Sequence, residues 1–192
     1  DAALAKGIAP KATDEMDLWI LSRLQSLLAG VQQQMEEYHL YAVVPLVVGF
    51  IEDLTNWYIR LSRRRFWGAS GGQASEDDES QADGAGGASG SVSLDKGDPM
   101  AYATLFHVLS EFSKVFAPFA PFISERIYHN LTNGLAGVPD SVHLADMPLP
   151  KQEQIRLDLE ERMALVRRVT NLGRSLRAKH QIKTRQALPS IM

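Results

Sequence analysis

From Gly68 to Gly97 the sequence turns to glycine, serine, alanine and acid, as in Ser75-Glu76-Asp77-Asp78-Glu79-Ser80 and Gly84-Ala85-Gly86-Gly87-Ala88-Ser89-Gly90. Nothing in this run can bury enough apolar surface to offset the entropy of ordering its backbone, so residues 68–97 are expected to be a disordered insert. Its glycines do not read as a phosphate cradle, because neither a Lys-Ser/Thr pair nor a strand-to-helix context follows. Whatever folds must be assembled from the parts on either side, and both carry helical periodicity.

Residues 1–13, with Gly7 and Pro10, read as a lead-in segment without periodicity. Asp14 then offers an N-cap with Glu15 and Asp17 in the first turn. Met16, Trp19, Ile20, Leu24, Leu27, Leu28, Val31 and Met35 mark a first helix to about Glu37. A second begins near Ala42, which leaves Pro45 close to its start, where a missing N–H costs least. Beyond the insert, Asp98-Pro99 is an N-cap followed by proline at the first helical position. The third helix runs to about Leu131, and Pro118 and Pro121 must kink or break it. Ser141 to Leu144 reads as a short extended piece. A fourth helix covers about Gln152 to Lys179, with Ile155, Leu159, Met163, Val166, Thr170 and Gly173 on one side. The expected fold is all-α: a four-helix bundle over 14–180 with a kinked third rod and a short extended C-terminal tail, 181–192.

The second helix has two faces that both want a partner. At about 100° per residue, Asn56, Trp57, Arg60, Arg63, Arg64 and Trp67 fall within one stripe roughly 120° wide. Val44, Val47, Val48, Ile51, Leu54, Tyr58 and Ser62 fall opposite and read as the core side. Guanidinium planes among indoles suit phosphates and unstacked bases. A plainer reading stands beside it: arginines near a helix C-terminus complement its dipole, and the tryptophans pack between domains.

The net charge of −3 hides an asymmetry, since residues 1–150 carry 10 Lys and Arg against 19 Asp and Glu, and residues 151–192 carry 10 against 4. The last part is a candidate footprint for a polyanion, through Arg174, Arg177, Lys179, Lys183 and Arg185. Its acids sit in the N-terminal half of the fourth helix and its bases in the second half, the order the dipole prefers, so part of the pattern is structural. The chain has no cysteine, which excludes disulfides and cysteine-bearing zinc sites. His39, His107 and His129 read as structural, with no second ligand at a matching spacing. The longest apolar run, Val43 to Ile51, is short for a membrane span. A chain that opens at Asp1 without a signal-peptide pattern reads as a piece of a larger protein.

The run Asp53-Leu54-Thr55-Asn56-Trp57-Tyr58-Ile59-Arg60 with Ser62-Arg63-Arg64-Arg65-Phe66-Trp67 resembles the second anticodon-domain helix of isoleucyl-tRNA synthetases of the eukaryotic cytosolic type. Phe116-Ala117-Pro118-Phe119-Ala120-Pro121-Phe122-Ile123-Ser124-Glu125 is similar to the broken helix of class I synthetases for aliphatic amino acids. Ser141-Val142-His143 and Ile182-Lys183-Thr184-Arg185-Gln186 also resemble the isoleucine branch. The four matches keep the family's order, with Ala187 where a proline is usual.

The resemblance implies a domain that docks on the anticodon stem and loop of isoleucine tRNA, within a cytoplasmic enzyme that activates isoleucine with ATP and magnesium. The fragment itself is expected to hold no cofactor, metal or catalytic residue and to be inactive alone, because neither the His-x-Gly-His nor the Lys-Met-Ser-Lys-Ser type of signature is present. Its implied partners are the tRNA, the catalytic domain of the same chain and a multi-synthetase assembly, with no membrane. Bases of the fourth helix and tail would meet phosphates. The Trp/Arg stripe would meet either splayed bases or the catalytic body. Two other readings stay open: a non-enzymatic helical interaction bundle, and the valyl or leucyl branch.

Overall fold

The computed structural model describes residues 9–67, 97–183 and 186. The expectation of disorder over 68–97 thus lies, except for Gly97, outside the described residues, as do most of the lead-in and of the tail. Two compact units are present, residues 1–155 and 156–192. Among the described residues there are six α-helices and no strand.

In the first unit, α1 (Glu15–Glu36) starts where Asp14 accepts a hydrogen bond from the Met16 amide at 2.9 Å. The second rod comprises α2 (Leu40–Glu52), a π-helical turn (Asp53–Ile59) and α3 (Arg63–Trp67). Beyond the insert, α4 (Pro99–Phe116) begins at Asp98, whose carboxylate accepts from the Met100 amide at 2.9 Å. The proline pair does break the third rod: α4 stops at Phe116, a turn follows, and α5 (Pro121–Thr132) restarts at Pro121. Helix α1 packs on α2 and α4, and α4 on α5. Trp19, Ile20, Leu24, Val43, Phe50 and Val108 fill the middle, with the Phe50 and Phe112 rings stacked 5.5 Å apart.

The inner face of the second rod differs from the expected one. Val47, Leu54, Tyr58 and Ser62 are buried, but Val44 and Val48 are about half exposed, and Val43, Phe50, Asp53 and Phe66 go inward instead. The cause is the π turn. Phe50, Leu54, Tyr58, Ser62 and Phe66 stand four apart, and in a regular α-helix each such step drifts by about 40°, roughly 160° over the whole series. A widened turn absorbs that drift and keeps all five on one side, which uniform 100° counting cannot reproduce. Helix α2 also begins two residues before Ala42, so Pro45 lies past the first turn and leaves the Tyr41 carbonyl without its helical donor. By length and hydropathy, Leu40–Ile59 compares with a membrane span, beyond what the Val43–Ile51 run suggests, although its inner side packs within this unit.

The borders of the insert meet. Asp98 donates its amide to the Arg65 carbonyl at 2.8 Å, and the Tyr102 hydroxyl donates to the Phe66 carbonyl at 2.6 Å. Gly97 is needed there, because a Cβ would come 2.8 Å from the Phe66 carbonyl oxygen and collide with the Tyr102 ring.

Ser141–Leu144 is not extended. Val142–Leu144 forms a single 3-10 turn, with the Ser141 hydroxyl accepting from the His143 amide. Glu125 explains it: one carboxylate oxygen accepts from both the Ser141 hydroxyl and the Val142 amide, at 3.0 and 2.9 Å, and draws the backbone into a turn. The fourth helix also starts later than Gln152. Lys151 donates its amide to the Gln25 side chain of α1 at 2.8 Å, and a 3-10 turn (Gln152–Gln154) follows. Anchoring that segment to α1 uses the length that helical periodicity alone assigns to the rod.

The second unit is built on α6 (Leu157–Lys179), with Asp158 and Glu160 in its first turn and Arg177 and Lys179 in its last. On its expected apolar side Leu159 is buried and Met163 and Thr170 are half-buried, but Val166 and Gly173 are exposed. Leu165, Val169, Leu172 and Leu176 form a second, exposed seam at heptad spacing.

Candidate nucleic-acid interface

The second rod positions the candidate stripe because its opposite side is consumed by the core. Asn56, Arg60, Arg63 and Arg64 are exposed, Trp57 is half-buried, and Trp67 is 59% exposed. None of the six is taken into the interior. Arg63 and Trp67, one turn apart, touch: the guanidinium carbon lies 5.5 Å from the indole centroid, a cation–π pair on an open surface. Such a pair presents a flat ring and a fork of donors side by side, suited to stacking on a base while holding its phosphate.

Arg65 lies in the same run and does the opposite. Its guanidinium turns in and donates to both carboxylate oxygens of the fully buried Asp17, at 3.0 and 2.6 Å, and to Asp98 at 2.8 Å. It also pairs with Asp14 at 3.0 Å. The Tyr58 hydroxyl completes the group by donating to Asp17 at 2.7 Å. The Asp17 hydrogen bond, opposed by burial and helped by Asp98, holds Arg65 more firmly protonated than an ordinary arginine. Burial first, then the Asp17 bond, pushes the Tyr58 phenol up. At Asp98 burial raises the carboxyl's pKa, but the Arg65 bond and the Met100 amide outweigh it and hold it below the usual range. Arg65 therefore ties the start of α1, the second rod and the start of α4 together.

Sequence reasoning missed Arg65 and gave Asp17 only a dipole role. A usable signal was the pair of acidic N-caps, Asp14 and Asp98, each opening a helix that a single half-buried cation could serve. It also missed the π turn, whose Asp53 is buried and paired with Arg23 at 2.9 Å.

In the second unit Arg174, Lys179 and Lys183 are exposed. Arg177 is half-buried, and one of its nitrogens donates to the Lys183 and Gln186 carbonyls at 3.0 and 2.8 Å. The turn after Lys179, where Gln181 takes a positive φ of 55°, brings those carbonyls to it. Arg185 lies outside the described residues. Among the described residues no group of three or more His, Asp or Glu could hold a metal ion.

Residues 17–192 match the family described as the anticodon-binding domain of tRNA ligase. The isoleucine–tRNA ligase of Chlamydia trachomatis serovar L2b (strain UCH-1/proctitis) is 44% identical over 190 residues, covering 96% of this chain and 16% of that protein. Those of Chlamydia pneumoniae and Chlamydia muridarum are 42% and 41% identical over 188 and 187 residues, covering 95% of this chain and 16% of each relative. The chain thus spans about a sixth of the length of the relatives it matches. A match across nearly the whole sequence, on an all-helical structure with an outward Arg/Trp face, shows that the chain belongs to the anticodon-binding domain family of tRNA ligases.

Proposed function

We propose that this chain is the tRNA-binding part of an isoleucine–tRNA ligase and docks on the anticodon stem and loop of isoleucine tRNA. The observation that carries the reading is the exposed Arg63–Trp67 pair, flanked by Asn56, Arg60 and Arg64 on the outer side of a rod whose inner side is core. Arg174, Lys179, Lys183 and Arg185 supply phosphate contacts, and with them affinity that falls with salt. The isoleucine branch is favoured over the valyl and leucyl ones by the relatives' names, which are those of bacterial isoleucine ligases. The eukaryotic cytosolic type rests on the residue runs alone. The four-helix bundle with a kinked third rod, divided as 14–180 and a tail, belongs to the same reading, as does a parent enzyme that uses ATP with magnesium in the cytoplasm, with a multi-synthetase assembly as a further partner.

A gel-shift titration with isoleucine tRNA at two salt concentrations tests it. Binding that weakens as salt rises, and weakens further in Arg63→Ala/Arg64→Ala, is the expected result. Binding that is absent at both concentrations overturns it in favour of a helical protein-interaction domain.

A second reading has its own support, since Trp57 is half-buried in the π turn that leads into the arginine run and suits a seat against the catalytic domain. In the intact enzyme, Arg60→Ala and Arg63→Ala separate the two. Loss of isoleucyl-adenylate formation with tRNA affinity intact assigns the stripe to the catalytic domain.

A further inference from the structure

Away from the stripe, the first unit holds a cleft of about 460 Å³ with a polar floor. Helix α1 contributes Gln25 and Leu28, α4 contributes His107, Glu111 and Lys114, and α5 contributes Tyr128. The segment from Gly137 to Lys151 forms the outer wall. Gln25, His107, Glu111 and Tyr128 are all at most 5% exposed, an unusual density of polar groups for one spot in a small helical core. Lys114 lies 2.7 Å from Glu111. Tyr128 is fully buried, and its hydroxyl has no hydrogen-bond partner among the described residues.

A buried hydroxyl left in that state is destabilising, and when such a group lines a cleft it marks a place for a ligand. Burial, with the charges of Glu111 and Glu125, pushes the Tyr128 phenol up, so at neutral pH it is an O–H donor. The lining sets Glu111 and Asp146 against Lys114 and Lys151, so its formal charges cancel and an anion gains no net attraction there. Met147, Pro148 and Leu149 supply apolar walls. An uncharged planar ring with donors and acceptors around its edge meets those requirements.

We propose that this cleft receives one unstacked nucleobase of the bound RNA, with Tyr128 donating to a ring acceptor, Glu111 facing a donor edge and the Met147–Leu149 segment covering the ring. The assignment rests on the RNA-binding reading above and adds a second, base-selective site to it. Single-stranded bases are recognised in this way, by edge hydrogen bonds and apolar cover rather than by charge.

His107 reports on the cleft, because it is the buried one of the chain's five histidines. The experiment titrates the 192-residue chain with a synthetic anticodon stem–loop of isoleucine tRNA, following the His107 imidazole and Trp67 indole resonances together with affinity. The expected result is a shift at both reporters, with Tyr128→Phe weakening binding roughly fivefold, the loss of one hydrogen bond. Leu149→Trp, at an exposed rim position, plugs the cleft without disturbing the interior and should abolish the His107 shift, so the test holds even if Tyr128→Phe fails to fold. Movement of Trp67 with His107 silent and both variants at wild-type affinity overturns the cleft and leaves the RNA reading standing. A His107 shift produced equally by inorganic polyphosphate also overturns it, because the ligand is then an anion. No RNA binding at either reporter overturns both.

Discussion

Arg63, Arg64 and Arg65 are consecutive on one rod, and the fold puts them to opposite uses. Arg63 lies in the open against Trp67, while Arg65 is drawn inside by three aspartates from the starts of two other helices. The difference lies in what stands opposite. An exposed guanidinium keeps its hydration and is free to exchange it for a phosphate, whereas one facing the buried Asp17 carboxylate cannot leave without stranding a charge. One side of the rod thus holds the domain together and the other stays open to solvent.

Substitution at Arg65 breaks that contrast most directly. Arg65→Ala removes the partner of a fully buried carboxylate and should lower unfolding free energy by about 3 kcal/mol, read from urea denaturation. Arg63→Ala should stay within about 0.5 kcal/mol of wild type. Equal effects would show that the two sides are not different in kind.

Trp67→Ala comes next and acts only on binding. Loss of one stacking platform should weaken RNA affinity by about 1 to 3 kcal/mol with the melting temperature unchanged. Arg64→Ala should act alike on all RNAs and reduce the slope of log affinity against log salt by about one contact.

The inner side has its own pH signature. The Tyr58 phenol sits higher in the folded chain than in the unfolded one, so its contribution is complete below the ordinary tyrosine value near 10 and is lost as pH rises above it. Tyr58→Phe should flatten that alkaline limb while lowering stability at neutral pH by about 1 kcal/mol through the lost Asp17 bond. Asp98 gives the opposite and smallest effect. Its folded carboxyl lies lower than the unfolded one, so its contribution holds above the usual aspartate range and fades as pH falls through the folded value. Asp98→Asn keeps the helix cap, and with the carboxylate 37% exposed the loss should be under about 1 kcal/mol, seen as a shallower acid limb.

Local chemistry was legible without coordinates. Asp14 and Asp98 start helices as their side chains dictate, and a proline pair leaves the third rod no choice but to break. The outward stripe was legible too, because indoles and guanidiniums at helical spacing share a face whatever lies behind them. Three features were not. The π turn at Asp53–Ile59 has no single-residue signature and is selected by the need to keep Phe50, Tyr58 and Phe66 on one side. The Ser141–Leu144 turn depends on Glu125, a residue of another element. Val44 and Val48 looked like core and are half exposed, since hydropathy ranks a side chain without knowing which neighbour arrives.

The amino-acid sequence by itself determined that the chain is helical, where its helices are capped and interrupted, and which face of the second rod carries arginine and tryptophan. These follow from interactions within a few residues, whose geometry the backbone supplies. Only the tertiary structure decided that Arg65 turns to the buried Asp17, that Tyr128 lines a polar cleft, and that the borders of the 68–96 segment join. Each of these depends on groups brought together from distant parts of the chain, and the free energy of burying a charge or a hydroxyl is set by those partners and not by the residue's own preference.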